Sequence, residues 1–296
     1  VAVSKILNLS PTKTTHAIGI AATQVTGLRE MFGSHSKSFH PGRAAQNGLM
    51  AAVMAEGGYT SSEGALEAKR GWATVVSANK PDVLQSLDRW ISTTSDDGLV
   101  SPGKGRWEIL RNSFKPFPCG IVIHPIIDAC IQLHTEITKA GHDLQQIETV
   151  TAAVHPLVLE LTGKKAPRDG LEAKFSVYHS GSCGLLRGKA TPTEYEDETV
   201  LDPAIIALRD SITANVNPSL APDATKVTVT LQNGEEFTKD IDHAMGSRAV
   251  PLSDKLLQVK FLDGCKSVSL KDPDTVSQLC WMVTTLGDMR DLTKLL

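Results

Sequence analysis

This sequence is poor in several things, and each shortage excludes a class of protein. Aromatic residues make up only 5% of its 296 positions while alanine and glycine are frequent, a balance that favours closely packed helices over a β-sandwich. Its five cysteines, Cys119, Cys130, Cys183, Cys265 and Cys280, are far apart, odd in number and form no CxxC pair. A disulfide framework is therefore not expected, and a reduced intracellular compartment, cytoplasmic or mitochondrial, is the simplest expectation. There is no HExxH, no Cys/His cluster with zinc spacing, no carboxylate ladder for calcium, no iron–sulfur cysteine set and no GxxxxGK[ST] phosphate loop. No metal and no cofactor is expected. The net charge is −3 and the 30 Lys and Arg are spread without a basic face, so neither nucleic acid nor an anionic membrane is expected as a partner. No apolar run reaches membrane-spanning length, and no signal segment is visible at Val1.

What is present is 41% hydrophobic and 21% charged, enough for a large core and two domains. Ser10 followed by Pro11 is a helix start, a hydroxyl cap and then a residue that needs no N–H. The segment after Pro41 is apolar nearly all round, which predicts a buried helix ending at Gly57–Gly58. Ser61 or Ser62 is expected to cap a short helix next. Residues 79–105 are polar and read as a connector. "IVIHPIIDACIQLHTEI" predicts a strong helix, "IETVTAAVHPLVLEL" reads as β-like, and "KFSVYHSGSCGLLRG" reads as a helix ending at Gly188. "ALRDSITANVNPSL" is undecided between helix and strand. "TKVTVTLQNGEEFTKDI" predicts a β-hairpin turning at Asn233-Gly234, and two further helices close the chain. The order gives a mainly α chain with an inserted α+β domain. Its parts are a helical domain over 1–112, an α+β domain over 113–245, and helices over 246–296 that return to the helical domain.

Two stretches concentrate chemistry. Lys37, His40 and Arg43 precede or enter the first turn of the helix after Pro41, where unpaired N–H groups and the helix dipole favour an anion. In "FKPFPCGIVIHPIIDA", Pro116 and Pro118 hold the chain extended, and His124 sits at a helix N-terminus where a positive dipole end lowers the imidazole pKa. A neutral imidazole is a competent base. Asp128, four residues on, is placed to orient it. The competing reading is that His124 merely caps the helix. Cys119 reads as a packing residue.

"SKSFHPGRAAQNGLMAA" with "GGYTSSEGALE", "FKPFPCGIVIHPIIDA", "KFSVYHSGSCGLLRG" and "VPLSDKLLQVKF", in this order, resemble the MmgE/PrpD family. That family includes 2-methylcitrate dehydratase, cis-aconitate decarboxylase and an iminodisuccinate epimerase. The resemblance implies a large all-α domain, a smaller α+β lid domain, a homodimer, and a cofactor-independent reaction on a small di- or tricarboxylate. Dehydration of a 2-alkylcitrate leads, with decarboxylation and epimerisation as alternatives. A non-catalytic fragment, or one half of a split enzyme, is the reading from a different class. The resemblance also implies a further helical segment before Val1 that supplies acid–base groups. By the family's pattern Lys37 and Lys115 are active-site lysines and Tyr178 projects into the cleft as a proton or hydrogen-bond donor, with Lys174 a weaker candidate. His40 and Arg43 would join Lys37 in receiving substrate carboxylates.

Overall fold

A computed structural model describes residues 1–25, 27–76, 111–266, 268 and 270–296. The connector expected over 79–105 lies outside the described residues. Contacts divide the chain into Val1–Asn112 and Ser113–Leu296. The fold is mostly helical, with one small mixed four-stranded sheet. Among the described residues no helix is long and apolar enough to cross a membrane.

The first unit contains α1 (Ala2–Ile6), α2 (Pro11–Ala22), α3 (His35–Glu56) and α4 (Trp72–Val76). Ser10 caps α2 as expected, its Oγ accepting from the Lys13 N–H at 3.3 Å. Two expectations fail here. First, α3 starts at His35, six residues before Pro41, so the proline lies inside the helix. Pro41 has no N–H to give the Lys37 carbonyl one turn back. Nor is α3 buried all round. Its small residues Ala51, Ala52 and Ala55 form one seam against Ala17 and Ile20 of α2, while Leu49, Met50 and Val53 on its other faces are half-exposed. A seam of alanines covers a narrow stripe, and the larger apolar side chains fall outside it. Second, Ser61 caps no helix. Its N–H donates to His16 Nδ1 at 3.2 Å and its hydroxyl to the His16 carbonyl at 3.0 Å, so it ties the chain to α2 instead. Residues 59–71 form turns, and the next helix is α4.

The second unit is built around α5 (His124–Lys139) and a sheet of β1 (Ile147–Val154), β2 (Ile212–Val216), β3 (Thr225–Leu231) and β4 (Glu236–Ile241). The strand order is β2-β1-β3-β4, with β1 parallel to β2 and the other two pairs antiparallel. Between β1 and β2 the chain passes through α6 (Pro156–Thr162), α7 (Val177–Arg187) and α8 (Pro203–Ser211). The apolar spacing of α5 and of the residue before it places Ile123, Ile127, Cys130, Leu133 and Ile137 in one core with Val150, Ala152, Val227 and Val229 of the sheet. Each such aliphatic side chain stabilises by roughly 1.5–3 kcal/mol.

The stretch read as β throughout, residues 147–161, is strand only to Val154. His155 Nδ1 accepts the Leu157 N–H at 3.1 Å and Pro156 opens α6, a cap and a first-turn proline that end the ladder. The undecided "ALRDSITANVNPSL" is helix to Ser211 and strand from Ile212. α7 ends at Gly188 as expected. The hairpin forms as expected, with the Gly234 N–H returning to the Leu231 carbonyl at 2.8 Å. Helices α9 (Asp254–Cys265) and α10 (Pro273–Trp281) follow, a short helical turn over Arg290–Thr293 comes after them, and all are grouped with this unit.

After β4 the chain turns sharply at Gly246, whose φ is +85°. A Cβ there would collide with the Phe114 carbonyl oxygen and lie 2.8 Å from Pro116 Cδ. Gly234 in the hairpin turn has nearly the same φ, +84°, with open space around it. Positive φ alone costs a non-glycine residue about 1–3 kcal/mol. Gly246→Ala is therefore expected to lower the unfolding free energy more than Gly234→Ala. Urea denaturation of the two variants checks this, and equal losses would show that the segment around Phe114 yields.

Candidate active site

The approach to α5 is set by its prolines. Pro116 and Pro118 flank Phe117, a short 3-10 turn covers Ile121–Ile123, and His124 becomes the first residue of the helix. Its ring is buried and meets Phe117 edge-on at 5.3 Å. Burial is the main reason its pKa falls from 6.5 to about 4; the Lys115 ammonium pushes the same way, while bonds to the Cys119 and Phe117 carbonyls oppose it. The expected direction is right, but desolvation leads where the helix dipole was expected to. Nε2 has no partner among the described residues. A ring whose N–H is turned to a backbone carbonyl presents a lone pair at its other nitrogen, so His124 offers a neutral acceptor.

His124 lines a cavity of about 500 Å³ together with Phe114, Ile121, Asp223, His243 and Arg248. The wall opposite α5 is the loop after β4, pinned at two points. The Phe114 N–H donates to the Gly246 carbonyl at 2.9 Å, and the Met245 N–H donates to Asp128 Oδ2 at 2.9 Å. Asp128 therefore does not orient His124 as expected. Its other oxygen accepts from Gln132 Nε2 at 2.9 Å, one turn further along α5. A side chain one turn down the helix reaches the loop, and the backbone carbonyls already hold the imidazole.

Lys115 donates from Nζ to the Cys119 carbonyl at 3.1 Å. Its charge and that of Lys174 both act on the Cys119 thiol. The Lys174 carbonyl also accepts the Gly120 N–H at 3.1 Å, tying the chain before α7 to the entry of α5. Burial nevertheless pushes the Cys119 thiol up to about 11, against the bond from Tyr195 and the two lysines. Cys119 is thus a protonated packing residue, not a nucleophile. Lys115 and Lys174 form one electropositive neighbourhood around it, with the neutral His124 ring nearby.

The other expected residues lie elsewhere. Tyr178, in the first turn of α7, is buried, which raises its pKa. Lys165 stands 5.4 Å from its ring centre, and the ring is not part of the wall around His124. In the first unit Lys37 is exposed in the first turn of α3. His40 and Arg43 fall in the second and third turns, not before the helix as expected. At 1.5 Å rise per residue Arg43 lies about 9 Å along the axis from Lys37, so the three cannot all converge on the helix N-terminus. Arg43 Nη1 donates to Gln46 Oε1 at 2.8 Å, a local pairing with a neutral amide. His40 is half-buried and lines a separate cavity of about 360 Å³ with Ala17, Val25 and Asn47.

Asp223, His243 and Arg248 were not anticipated. No motif marks them, but the hairpin does. Thr225 pairs with Ile241 at the open end of β3–β4, so the same register two residues further puts Asp223 opposite His243. Their Oδ2 and Nδ1 atoms are 2.7 Å apart.

A sequence profile of the MmgE/PrpD N-terminal domain matches residues 1–85, and one of the MmgE/PrpD C-terminal domain matches residues 117–281. The chain is 25% identical over 305 residues to a mouse protein, cis-aconitate decarboxylase, covering 100% of this chain and 59% of that protein. It is 26% identical over 303 residues to the human cis-aconitate decarboxylase, covering 99% of this chain and again 59% of the relative. A 2-methylcitrate dehydratase of Cupriavidus necator is 29% identical over 128 residues, 40% of this chain and 26% of that protein. The chain thus spans about three-fifths of the length of the decarboxylases it matches throughout.

Proposed function

Because the chain belongs to the MmgE/PrpD family, we propose that the protein is a cofactor-independent lyase acting on a small di- or tricarboxylate, with removal of water from a 2-alkylcitrate as its reaction. The observation that carries this reading is the buried neutral imidazole of His124, its Nε2 unpartnered among the described residues, in the wall of a cavity beside Lys115. Water loss needs a base for the proton next to a carboxylate. A ring at about 4 is fully available at neutral pH but weakly basic. The negative charges of a bound substrate favour its protonated form and raise its basicity when it is needed. Neither Lys115 nor Lys174 lines that cavity, so the carboxylate-binding role proposed for them rests on the family resemblance. The same reading has the protein act as a homodimer.

Decarboxylation of a cis-aconitate-like substrate is the second reading, favoured by the whole-chain similarity to cis-aconitate decarboxylases. Incubating the protein at its native length with 2-methylcitrate and with cis-aconitate, and following products by NMR, separates the two. An alkene formed from 2-methylcitrate supports dehydration, and release of carbon dioxide from cis-aconitate supports the alternative. No turnover of either refutes the polycarboxylate reading.

A further inference from the structure

A base alone does not remove water, because a hydroxide ion leaves far more slowly than a protonated oxygen. The geometry points to His243, held by Asp223, as the acid that protonates the departing hydroxyl, an inference resting on the hydro-lyase reading above. His243 and His124 line the same cavity. Their surroundings are opposite in kind. His124 is buried among apolar groups and a cation, whereas His243 is half-exposed with a carboxylate oxygen 2.7 Å from Nδ1. That carboxylate fixes the ring through Nδ1 and leaves Nε2 as the nitrogen that can pass a proton. Two imidazoles in one cavity, one beside a cation and one beside a carboxylate, are placed for different parts in one reaction.

Asp223 and His243 are each about half exposed, and the fold fixes where they meet. The β3–β4 register brings Asp223 and His243 together, and the Asp223 carbonyl also accepts the Ala244 N–H at 3.1 Å. The next residue, Met245, is fixed to Asp128 of α5, the helix that carries His124. The loop bearing the acid is thereby anchored to the helix bearing the base. Arg248 in the same wall adds a cation for a substrate carboxylate.

The step balances as follows. The His124 imidazole takes the proton from the carbon next to a carboxylate, and the C–H electron pair becomes the new C=C bond. The C–O bond breaks with its pair on oxygen, which takes the His243 proton and leaves as water. His124 ends protonated and His243 neutral, and exchange with solvent restores both.

The test uses the native-length protein with a hydroxylated substrate and with the analogue carrying fluoride in place of the hydroxyl, since fluoride leaves without gaining a proton. In His243→Gln, water loss is expected to fall about 100-fold or more while fluoride loss stays within about threefold. Asp223→Asn is expected to show a smaller fall with the same selectivity, which a purely structural role would not produce. Equal falls with both substrates, wild-type dehydration by His243→Gln, or the same selectivity appearing in Tyr178→Phe instead would each overturn the role of His243. A wild-type protein that loses neither water nor fluoride from any such substrate overturns the hydro-lyase reading itself.

Discussion

His124→Gln is expected to lower turnover by about 100- to 10,000-fold, the range for loss of a positioned general base. Glutamine suits the test because its amide N–H can still donate to the Cys119 or Phe117 carbonyl while it offers no basic nitrogen. The His124 ring is buried against Phe117, and glutamine roughly fills that space, so the fold at neutral pH is expected to persist. In the wild-type protein the acid limb of kcat/KM is expected near pH 4, well below the ordinary histidine range, because that limb reports the free enzyme's base. Steady-state kinetics across pH on both proteins, with circular dichroism to confirm folding, checks both expectations. Near-normal turnover in the variant would reduce His124 to a buried helix-start residue.

The second large effect is on stability in acid. The folded protein holds His124 at about 4 and the unfolded chain returns it to 6.5. Between those values the unfolded state binds more protons, so stability rises with pH across the window and is lost as pH falls through it. At 1.36 kcal/mol per pKa unit, the loss between pH 7.5 and pH 4 is about 3 kcal/mol. His179, also buried and also lowered chiefly by desolvation, acts in the same direction. Glu172 acts in a different window. Arg168 and Lys164 hold its carboxyl near 2, so its contribution is present above 4.5 and is lost as pH falls towards 2. Denaturant melts at pH 7.5 and pH 4 are therefore expected to differ by about 3 kcal/mol less in His124→Gln than in the wild type. An unchanged difference would mean that the imidazole is solvated in the folded protein.

Local features carried much of this in advance. The Ser10–Pro11 start, the apolar spacing of α5, the end of α7 at Gly188 and the hairpin at Asn233-Gly234 all rest on interactions within a few residues, and all appear as expected. The failures share a cause. Ser61 was free to cap by its neighbours, but a histidine 45 residues away claims it. Asp128 was correctly spaced to orient His124, but a backbone N–H from the loop after β4 claims it. The apolar residues of α3 gave no sign of which face would be covered, because that depends on where α2 lies.

Composition and spacing alone determined the mainly helical class and the placing of His124 at the start of a helix, and the resemblance of the sequence blocks gave the family. Tertiary structure decided what that histidine is. Whether an imidazole is charged depends on the dielectric around it and on the charges within a few ångströms. Those neighbours, the ring of Phe117, the ammonium of Lys115 and a second histidine almost 120 residues away across the same cavity, become neighbours only when the chain has folded.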